Sequence, residues 1–228
     1  LRVILLLIVI FSAGTVAAQS REVRVGVYQN EPKIFMDENG NAAGIFIELL
    51  DEIAARESWN VIYVQCEWAD CLQALEAGNL DLMPDVAYSA ERDEKYDFHK
   101  TPVIESWSRI YSASSASINS LADLNGKRVA VLEGSIQQTV FGQLMTGFGY
   151  QVTLVPADSL ERAFEFARDG SADAAIANHL FGDYFYQKYG LLKTTIDFNP
   201  VALYYATAEG RNADLLEIAG KRASLGDM

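Results

Sequence analysis

The stretch KRVAVLEGSIQQTVFGQLM, residues 127–145, decides the fold class of the chain. Its residues 127–132 predict a strand, and Gly134-Ser135 leads into a helix predicted from 136 to 145. A further strand is predicted at 152–155. A strand, a helix and a second strand in this order are typical of a parallel sheet with helices packed against it.

The same alternation of strands and helices extends from this stretch toward both ends of the chain. The other predicted strands are at 23–28, 61–64, 80–83, 172–177 and 201–207, and the other predicted helices are at 45–56, 71–77, 160–167, 180–189 and 213–223. These elements form two βαβ groups of similar size, joined by a strand-like segment at 106–111. Two parallel-sheet lobes leave a crevice at the carboxyl ends of their strands, where small ligands tend to bind.

The composition limits the possible classes of function. The 228 residues carry a formal net charge of −13 and are 50% hydrophobic, which indicates a folded protein of one or two domains. An acidic protein lacks the basic face that binds nucleic acid or anionic lipid. Two histidines and two cysteines, without a nucleophile elbow or a metal motif, form no pattern typical of catalysis. We therefore expect no nucleic-acid partner, no metal, no cofactor and no catalytic residue.

The first residues of the chain predict export. An unbroken apolar run at 3–11 follows Arg2, and small residues lead to Val16-Ala17-Ala18, a sequence that a signal peptidase tolerates. The run is shorter than the roughly 20 apolar residues of a membrane span. A signal anchor or a buried N-terminal strand is the alternative. We predict a signal peptide at 1–18 and a periplasmic mature protein.

Export also decides how Cys66 and Cys71 are interpreted. Outside the cytosol an even pair of cysteines most simply forms a disulfide. Two free thiols are one alternative. Metal binding is another, but a C-x4-C pair is a weak metal signal and the two histidines are distant in sequence.

Short motifs along most of the chain point to one family. They lie at 26–28, 32–35, 37–40, 44–46, 74–82, 89–92, 96–98, 121–131 and 134–135. Together they resemble the extracytoplasmic solute-binding proteins of family 3. The resemblance implies the type II periplasmic binding protein fold, an α/β architecture of two lobes, each a mostly parallel sheet flanked by helices, joined by two crossover strands. It places residues 19–108 and 200–228 in lobe 1 and residues 109–199 in lobe 2.

Two segments narrow the resemblance. Residues 66–72 and 83–89 look more like the sensor-domain branch of this family, whose members precede bacterial histidine kinases or diguanylate cyclases. The resemblance therefore implies one of two partners, a membrane permease of an ABC transporter or a membrane-anchored signalling domain. On the second interpretation the chain is a fragment of a longer receptor.

Arg92 is the first candidate ligand-binding residue. In the family, an Arg at this motif position forms a bidentate pair with a ligand carboxylate, and a planar guanidinium matches two carboxylate oxygens. The alternative is a surface Arg near the start of a helix, for which Ser89 is a natural N-cap. Backbone amides at Ser135, Ile136 and Gln137 begin the next lobe's helix and are candidates to bind the same anion, and the alternative is an ordinary glycine turn followed by an N-cap.

Asn178 departs from the family pattern. Amino-acid binders of the family usually carry an acidic residue here, which binds the ligand's ammonium group. Either Asp85 binds that ammonium instead, or the ligand is not a standard α-amino acid, and we favour the second interpretation. The other predicted ligand-binding residues lie near family motifs, and they are Tyr28, Trp68, Ala87 and Tyr88. Phe35 and Trp107 are further aromatic candidates, although aromatic side chains more often fill cores.

The function that these residues predict is binding of a small carboxylate-bearing, amino-acid-like solute, with closure of the two lobes about a hinge. The alternative is a hydro-lyase on the same fold, similar to the cyclohexadienyl dehydratases. Such chemistry needs a positioned acid or base in the cleft, and Asp85 or Glu31 is the candidate.

Overall fold

The computed structural model describes residues 20–223 of the chain, and the predicted signal peptide at 1–18 lies outside the described residues. The strands are β1 (Arg21–Val27), β2 (Phe35–Met36), β3 (Ala42–Ala43), β4 (Trp59–Gln65), β5 (Met83–Ala87), β6 (Tyr96–Phe98), β7 (Ile104–Ser112), β8 (Arg128–Leu132), β9 (Thr153–Ala157), β10 (Ala174–Asn178) and β11 (Leu192–Ala208). The helices are α1 (Ile45–Glu57), α2 (Trp68–Glu76), α3 (Ala90–Asp93), a 3-10 turn (Leu121–Leu124), α4 (Ile136–Gly147), α5 (Leu160–Arg168), α6 (His179–Phe185) and α7 (Ala213–Ala223).

What we call the first half of the molecule contains β1, β4, β5, α1, α2 and α7. Its strands β1 and β4 are covered by α1. β1 and β4 pair in parallel over their whole length, and a bridge from Val25 to Leu82 connects β1 to the segment before β5. Because side chains alternate along a strand, Val23 and Val25 point to the same side. There they share a core with Phe46 and Leu50 of α1. The burial of this shared face holds α1 against the strands.

What we call the second half contains β8, β9, β10, α4, α5 and α6, and helices pack on both faces of its sheet. β8 pairs in parallel with β9 and with β10. Val129 and Val131 of β8 share one core with Phe141 of α4. Ala130, which points to the other face, shares a different core with Phe164 of α5. The βαβ order predicted from residues 127–155 is therefore confirmed.

β7 and β11 are the two crossover strands. The strand order β5-β11-β7-β10-β8-β9 puts them between the two halves. The start of β11 pairs with β7, and its end pairs with β5 and β6. The register of β11 shifts between Phe198 and Val201, and Asn199 between them has a φ of 51°. The predicted lobe boundaries, 108/109 and 199/200, fall within β7 and at this irregularity, and they remain a prediction.

Two strands differ most from their predicted positions, and the short strands β2, β3 and β6 have no predicted counterpart. The strand predicted at 80–83 begins only at Met83 and continues to Ala87. The strand predicted at 201–207 is the end of β11, which begins at Leu192. The prediction therefore omits residues 192–200. Thr194 in this segment is polar but buried, so apolar and polar residues do not alternate there as they do in a typical half-buried strand.

Helix starts follow the sequence at the serine caps, whereas the helix predicted at 71–77 begins at Trp68 and the helix predicted at 180–189 ends at Phe185. The side chains of Ser89, Ser135 and Ser159 each accept a hydrogen bond from the backbone amide three residues later and so cap α3, α4 and α5. The last helix, α7, shares the core of the first half through Leu215 and Leu216. No helix within residues 20–223 is both long enough and apolar enough to cross a membrane.

Candidate functional site

A cavity with a volume of about 40 Å³ lies where the two halves of the molecule meet. Strand ends from both halves reach it, because the carboxyl ends of parallel strands open onto the same crevice. Nine of the ten predicted ligand-binding residues line it, and these are Tyr28, Trp68, Asp85, Ala87, Arg92, Ser135, Ile136, Gln137 and Asn178. The fold therefore brings together side chains that are up to 150 positions apart in the sequence.

Tyr88 is the exception, and it does not line this cavity. Its side chain is 48% exposed, and its hydroxyl lies 3.3 Å from a carboxylate oxygen of Asp93. Its ring packs edge-on against Phe98. Because β5 ends at Ala87, whose backbone still borders the cavity, the next side chain along the chain points away from it. Phe35 also lies outside the lining, whereas Trp107 belongs to it.

Four buried side chains of the first half form what we call the polar cluster: Tyr28, Asn30, Lys33 and Asp85. The Lys33 ammonium lies 2.6 Å and 2.7 Å from the two carboxylate oxygens of Asp85. The Tyr28 hydroxyl and the Asn30 amide also donate to Asp85 Oδ2, at 2.6 Å and 2.7 Å. Both oxygens of this carboxylate are thus bonded within the protein.

Burial perturbs the ionisable groups of the polar cluster. It lowers the pKa of Lys33, and the adjacent Asp85 carboxylate opposes that shift. It raises the pKa of Tyr28 well above its usual value, and here Asp85 adds to the shift. Both directions follow from the cost of a charge in a buried site. Tyr28 is therefore a neutral hydrogen-bond donor in this cluster.

The bonding of Asp85 bears on the two interpretations of the ligand. The first interpretation assigns Asp85 to an ammonium group of the ligand. In the structure that carboxylate already has an ammonium partner, Lys33, within the protein. The lining contains no other carboxylate among the described residues.

Arg92 lines the same cavity in a different setting. Its guanidinium donates to the carbonyl oxygens of Ala87, at 3.0 Å, and of Gly134, at 3.3 Å. It also lies 5.3 Å from the ring centroid of Trp68. Burial lowers the pKa of Arg92. Among residues 20–223, no carboxylate forms an ion pair with this side chain.

The N-terminus of α4 lines the cavity next to Arg92. Ser135 is buried and caps the helix by accepting a hydrogen bond from the Gln138 amide at 3.3 Å. The amides of a helix's first turn have no partner within the helix, and those of Ile136 and Gln137 belong to this turn. The helix dipole adds a partial positive charge at the same point. Arg92 and this helix end thus present positive potential to one cavity.

Side-chain hydrogen bonds at the cavity connect the two halves directly across the cleft. Trp68 Nε1 and Arg92 both donate to the Gly134 carbonyl, the former at 3.2 Å. Asn178 donates to Asn30 Oδ1 at 2.8 Å, while its own Oδ1 accepts from the Phe181 amide and caps α6. Asn178 therefore has a structural role in α6 as well as a place in the lining.

The two cysteines form a disulfide, as the exported character of the sequence predicts. Cys66 and Cys71 have a Cα–Cα separation of 5.4 Å. The bridge spans the start of α2 and encloses Trp68, the residue that contacts Arg92 and Gly134. It therefore constrains the segment that positions one wall of the cavity.

Asn30 and Lys33 are lining residues that the sequence analysis did not single out. A signal for Lys33 exists, because it is a lone basic residue between Pro32 and the apolar pair Ile34-Phe35. Lysine is almost never fully buried unless it is paired. The pairing with Asp85, 52 positions away, has no local signature.

Comparison with known proteins places this geometry in context. Residues 23–181 match the model of a family described as bacterial extracellular solute-binding proteins, family 3. The amino-acid-binding protein AabA of Dichelobacter nodosus is 29% identical over 182 residues, which are 78% of this chain and 70% of that protein. The probable amino-acid ABC transporter-binding protein of Haemophilus influenzae is 30% identical over 159 residues, which are 68% of this chain and 59% of that protein.

A solved structure is similar over nearly the whole described fold. It is a histidine kinase sensor domain with similarity to periplasmic binding proteins, and it has a TM-score of 0.79 and 24% identity over 90% of each chain. At this identity the likeness shows the fold. The type II two-lobed architecture that the sequence motifs imply is therefore confirmed.

Proposed function

The chain belongs to the bacterial extracellular solute-binding proteins of family 3, and from this premise we propose that it binds a small carboxylate-bearing, amino-acid-like solute outside the cytoplasm. The periplasm is the proposed compartment. The proposed binding site is the cavity between the two halves, and the proposed response is closure of the lobes about the crossover strands β7 and β11.

The observation that carries this proposal is the setting of Arg92. Its guanidinium faces the cavity, is bonded only to carbonyl oxygens and the face of Trp68, and has no carboxylate partner among the described residues. A guanidinium donates two parallel hydrogen bonds to a carboxylate, and such charge-assisted bonds are stronger than neutral ones. The first-turn amides of α4 approach the same cavity from the other half. A carboxylate between them would interact with both lobes at once.

Binding and closure are linked through this bridging position. A ligand stabilises the closed state only by the difference between its affinities for the closed and open states. A carboxylate that reaches Arg92 in one lobe and α4 in the other makes its full set of contacts only when the lobes are together. Trp68 would cover it, because this side chain lies against Arg92 and bonds to Gly134.

Two partners follow from the relatives. One relative is named an amino-acid ABC transporter-binding protein, and one structural neighbour is a histidine kinase sensor domain. We propose that closure is read either by a membrane permease or by a membrane-anchored signalling domain.

The hydro-lyase alternative gains no support from the geometry of the acids. Asp85 has both oxygens bonded within the polar cluster, and Glu31 is not among the lining residues. A general base must be within hydrogen-bond reach of the proton that it removes.

Calorimetry with an Arg92→Ala variant tests the proposal. A thermal-shift screen of amino acids, 2-oxo acids and dicarboxylates first identifies a carboxylate that stabilises the protein. We expect Arg92→Ala to weaken its binding by about 1.5–3 kcal/mol, roughly 10- to 150-fold in Kd. Arg162→Ala is the matched control, because Arg162 pairs with Glu165 on the surface of α5. Equal affinity of the Arg92→Ala variant and the control would refute the role of Arg92.

A further inference from the structure

Lys33 holds its ammonium group in a fixed place within the cavity lining. The residue is 3% exposed. Its backbone amide donates to the Asn30 carbonyl at 2.9 Å, and its carbonyl accepts from the Phe46 amide at 3.0 Å at the start of α1. Gly44, with a φ of 108°, packs so closely that a Cβ there would lie 2.6 Å from the Lys33 carbonyl oxygen. The two hydrogen bonds and the close packing of Gly44 thus fix the position of the Lys33 backbone.

The Lys33–Asp85 pair contributes no net charge to the cavity. The ammonium contacts both carboxylate oxygens, and the side chains are 3% and 0% exposed. Wherever the shared proton resides, the charges of the two groups sum to zero. Apart from the neutral Tyr28 phenol, the remaining ionisable side chain of the lining is Arg92. The lining therefore presents one cation, Arg92, that forms no ion pair with a carboxylate of the described residues.

This charge balance discriminates between two kinds of carboxylate. A carboxylate without an ammonium group neutralises Arg92 and brings no further charge. An α-amino acid brings the same carboxylate and also an ammonium, for which the lining has no free carboxylate among the described residues. A buried ammonium without an anionic partner is strongly disfavoured.

We propose that Lys33 is a specificity-determining residue, which occupies Asp85 from within the protein and so selects a small organic carboxylate that lacks an α-ammonium group, such as a 2-oxo or 2-hydroxy acid. In this arrangement Lys33 supplies the ammonium that an amino-acid ligand would otherwise bring. The inference rests on the proposed function, because it requires a ligand carboxylate at Arg92. Asn178, an uncharged residue bonded to Asn30 of the polar cluster, leaves the site without a second acid.

Matched ligand pairs test the inference on the wild-type chain. Each pair has the same carbon skeleton and differs in an oxo or an ammonium group at C2: pyruvate and L-alanine, 4-methyl-2-oxopentanoate and L-leucine, 2-oxoglutarate and L-glutamate. Calorimetry gives the affinity for both members. In the pair that binds best, we expect the 2-oxo acid to bind at least tenfold more tightly than the amino acid.

The variant Lys33→Met tests the residue itself. It removes the ammonium and leaves the Asp85 carboxylate free to accept the ammonium of an amino acid, so the preference should reverse in favour of the amino acid by at least tenfold. The control is Lys193→Met, because Lys193 bonds to Asp183 away from the cavity with 41% of its side chain exposed. This control should keep the wild-type preference. If Lys33→Met does not fold, the double variant Lys33→Met/Asp85→Asn removes both charges and should still favour the 2-oxo acid.

The outcomes separate this inference from the proposed function. If the wild type binds the amino acid at least as tightly as the 2-oxo acid, the inference is overturned, while the proposed function stands provided that Arg92→Ala still weakens binding. A folded Lys33→Met variant with the wild-type preference also overturns it. If no carboxylate of the thermal-shift screen binds, both are overturned.

Discussion

Lys33 and Arg92 line the same cavity but have different surroundings. Lys33 pairs with Asp85, whose carboxylate also accepts hydrogen bonds from Tyr28 and Asn30, so its charge is balanced within 3 Å. Arg92 lies against Trp68 and two carbonyl oxygens without an anionic partner among the described residues. A buried ion pair strongly destabilises the fold when it loses one partner, whereas a cation with only neutral partners is available to bind an anion. Lys33 is therefore a structural cation, and Arg92 is the cation that we propose binds the ligand.

The largest expected loss of stability follows from removing the charge of Asp85, the partner of Lys33. Asp85→Asn is the suitable change, because Asp85 has a φ of 62° and Asn tolerates this left-handed conformation. It leaves Lys33 buried without its partner, and breaking such a pair costs about 3–5 kcal/mol. Urea unfolding at pH 7 measures the loss.

Two variants calibrate that result. Asp173→Asn breaks a partly exposed pair with Arg128, which should cost less than about 1 kcal/mol. Arg92→Ala removes hydrogen bonds to neutral carbonyls and should cost on the order of 1 kcal/mol of stability. If Arg92→Ala destabilises the fold as much as Asp85→Asn does, the distinction between the two cations is wrong.

Acid is expected to destabilise the fold through His99, which lies outside the cavity. Burial lowers the pKa of His99 to about 4 from an ordinary value of 6.5, and its Nε2 accepts a hydrogen bond from the Tyr205 amide at 2.9 Å. The folded state therefore favours neutral His99. Its contribution to stability is fully present above pH 6.5 and is lost as the pH falls toward 4, by roughly 3 kcal/mol in total.

The His99→Gln variant isolates this effect. A glutamine oxygen can accept the same bond but does not titrate, so the stability of the variant should fall less between pH 6.5 and 4. Urea unfolding at several pH values compares the two slopes. Equal slopes would mean that another group causes the acid dependence, and His179, whose pKa is also lowered by burial, would be the next residue to replace.

Reduction of the disulfide tests how much it stabilises the segment around Trp68, which contacts Arg92. Cys66–Cys71 closes a short loop around Trp68. Reduction should lower the free energy of unfolding by about 2 kcal/mol, near the lower end for disulfides because the loop is short. A Cys66→Ser/Cys71→Ser variant is the control and should not respond to dithiothreitol. An unchanged wild-type stability after complete reduction would contradict this expectation.

Local signals in the sequence were sufficient for most of the fold. The turn at Gly134-Ser135, the apolar periodicity of α1 and the serine caps each depend on residues a few positions apart, and these elements form as predicted. β11 was incomplete in the prediction because its first residues carry polar side chains, and its pairing with β7 compensates for the weak pattern. Long strands of this kind are specified by their neighbours.

The candidate site was predictable only where a motif marks it. Arg92 and Ser135 stand in motifs that resemble the family, and both line the cavity. Lys33 and Asn30 contact Asp85 across more than 50 positions, and no local pattern encodes such a contact. Tyr88 follows Ala87 directly, yet the end of β5 turns it toward solvent. Proximity in sequence to a motif therefore does not fix the direction of a side chain.

A crystal structure of the chain with the 2-oxo acid that binds most tightly tests the central claim most directly. We predict that the ligand carboxylate lies against the guanidinium of Arg92 and the first turn of α4. Lys33 Nζ should remain within about 3 Å of Asp85, the distance of a charge-assisted hydrogen bond. A ligand bound away from Arg92, or one whose complex has Lys33 displaced from Asp85, would contradict it.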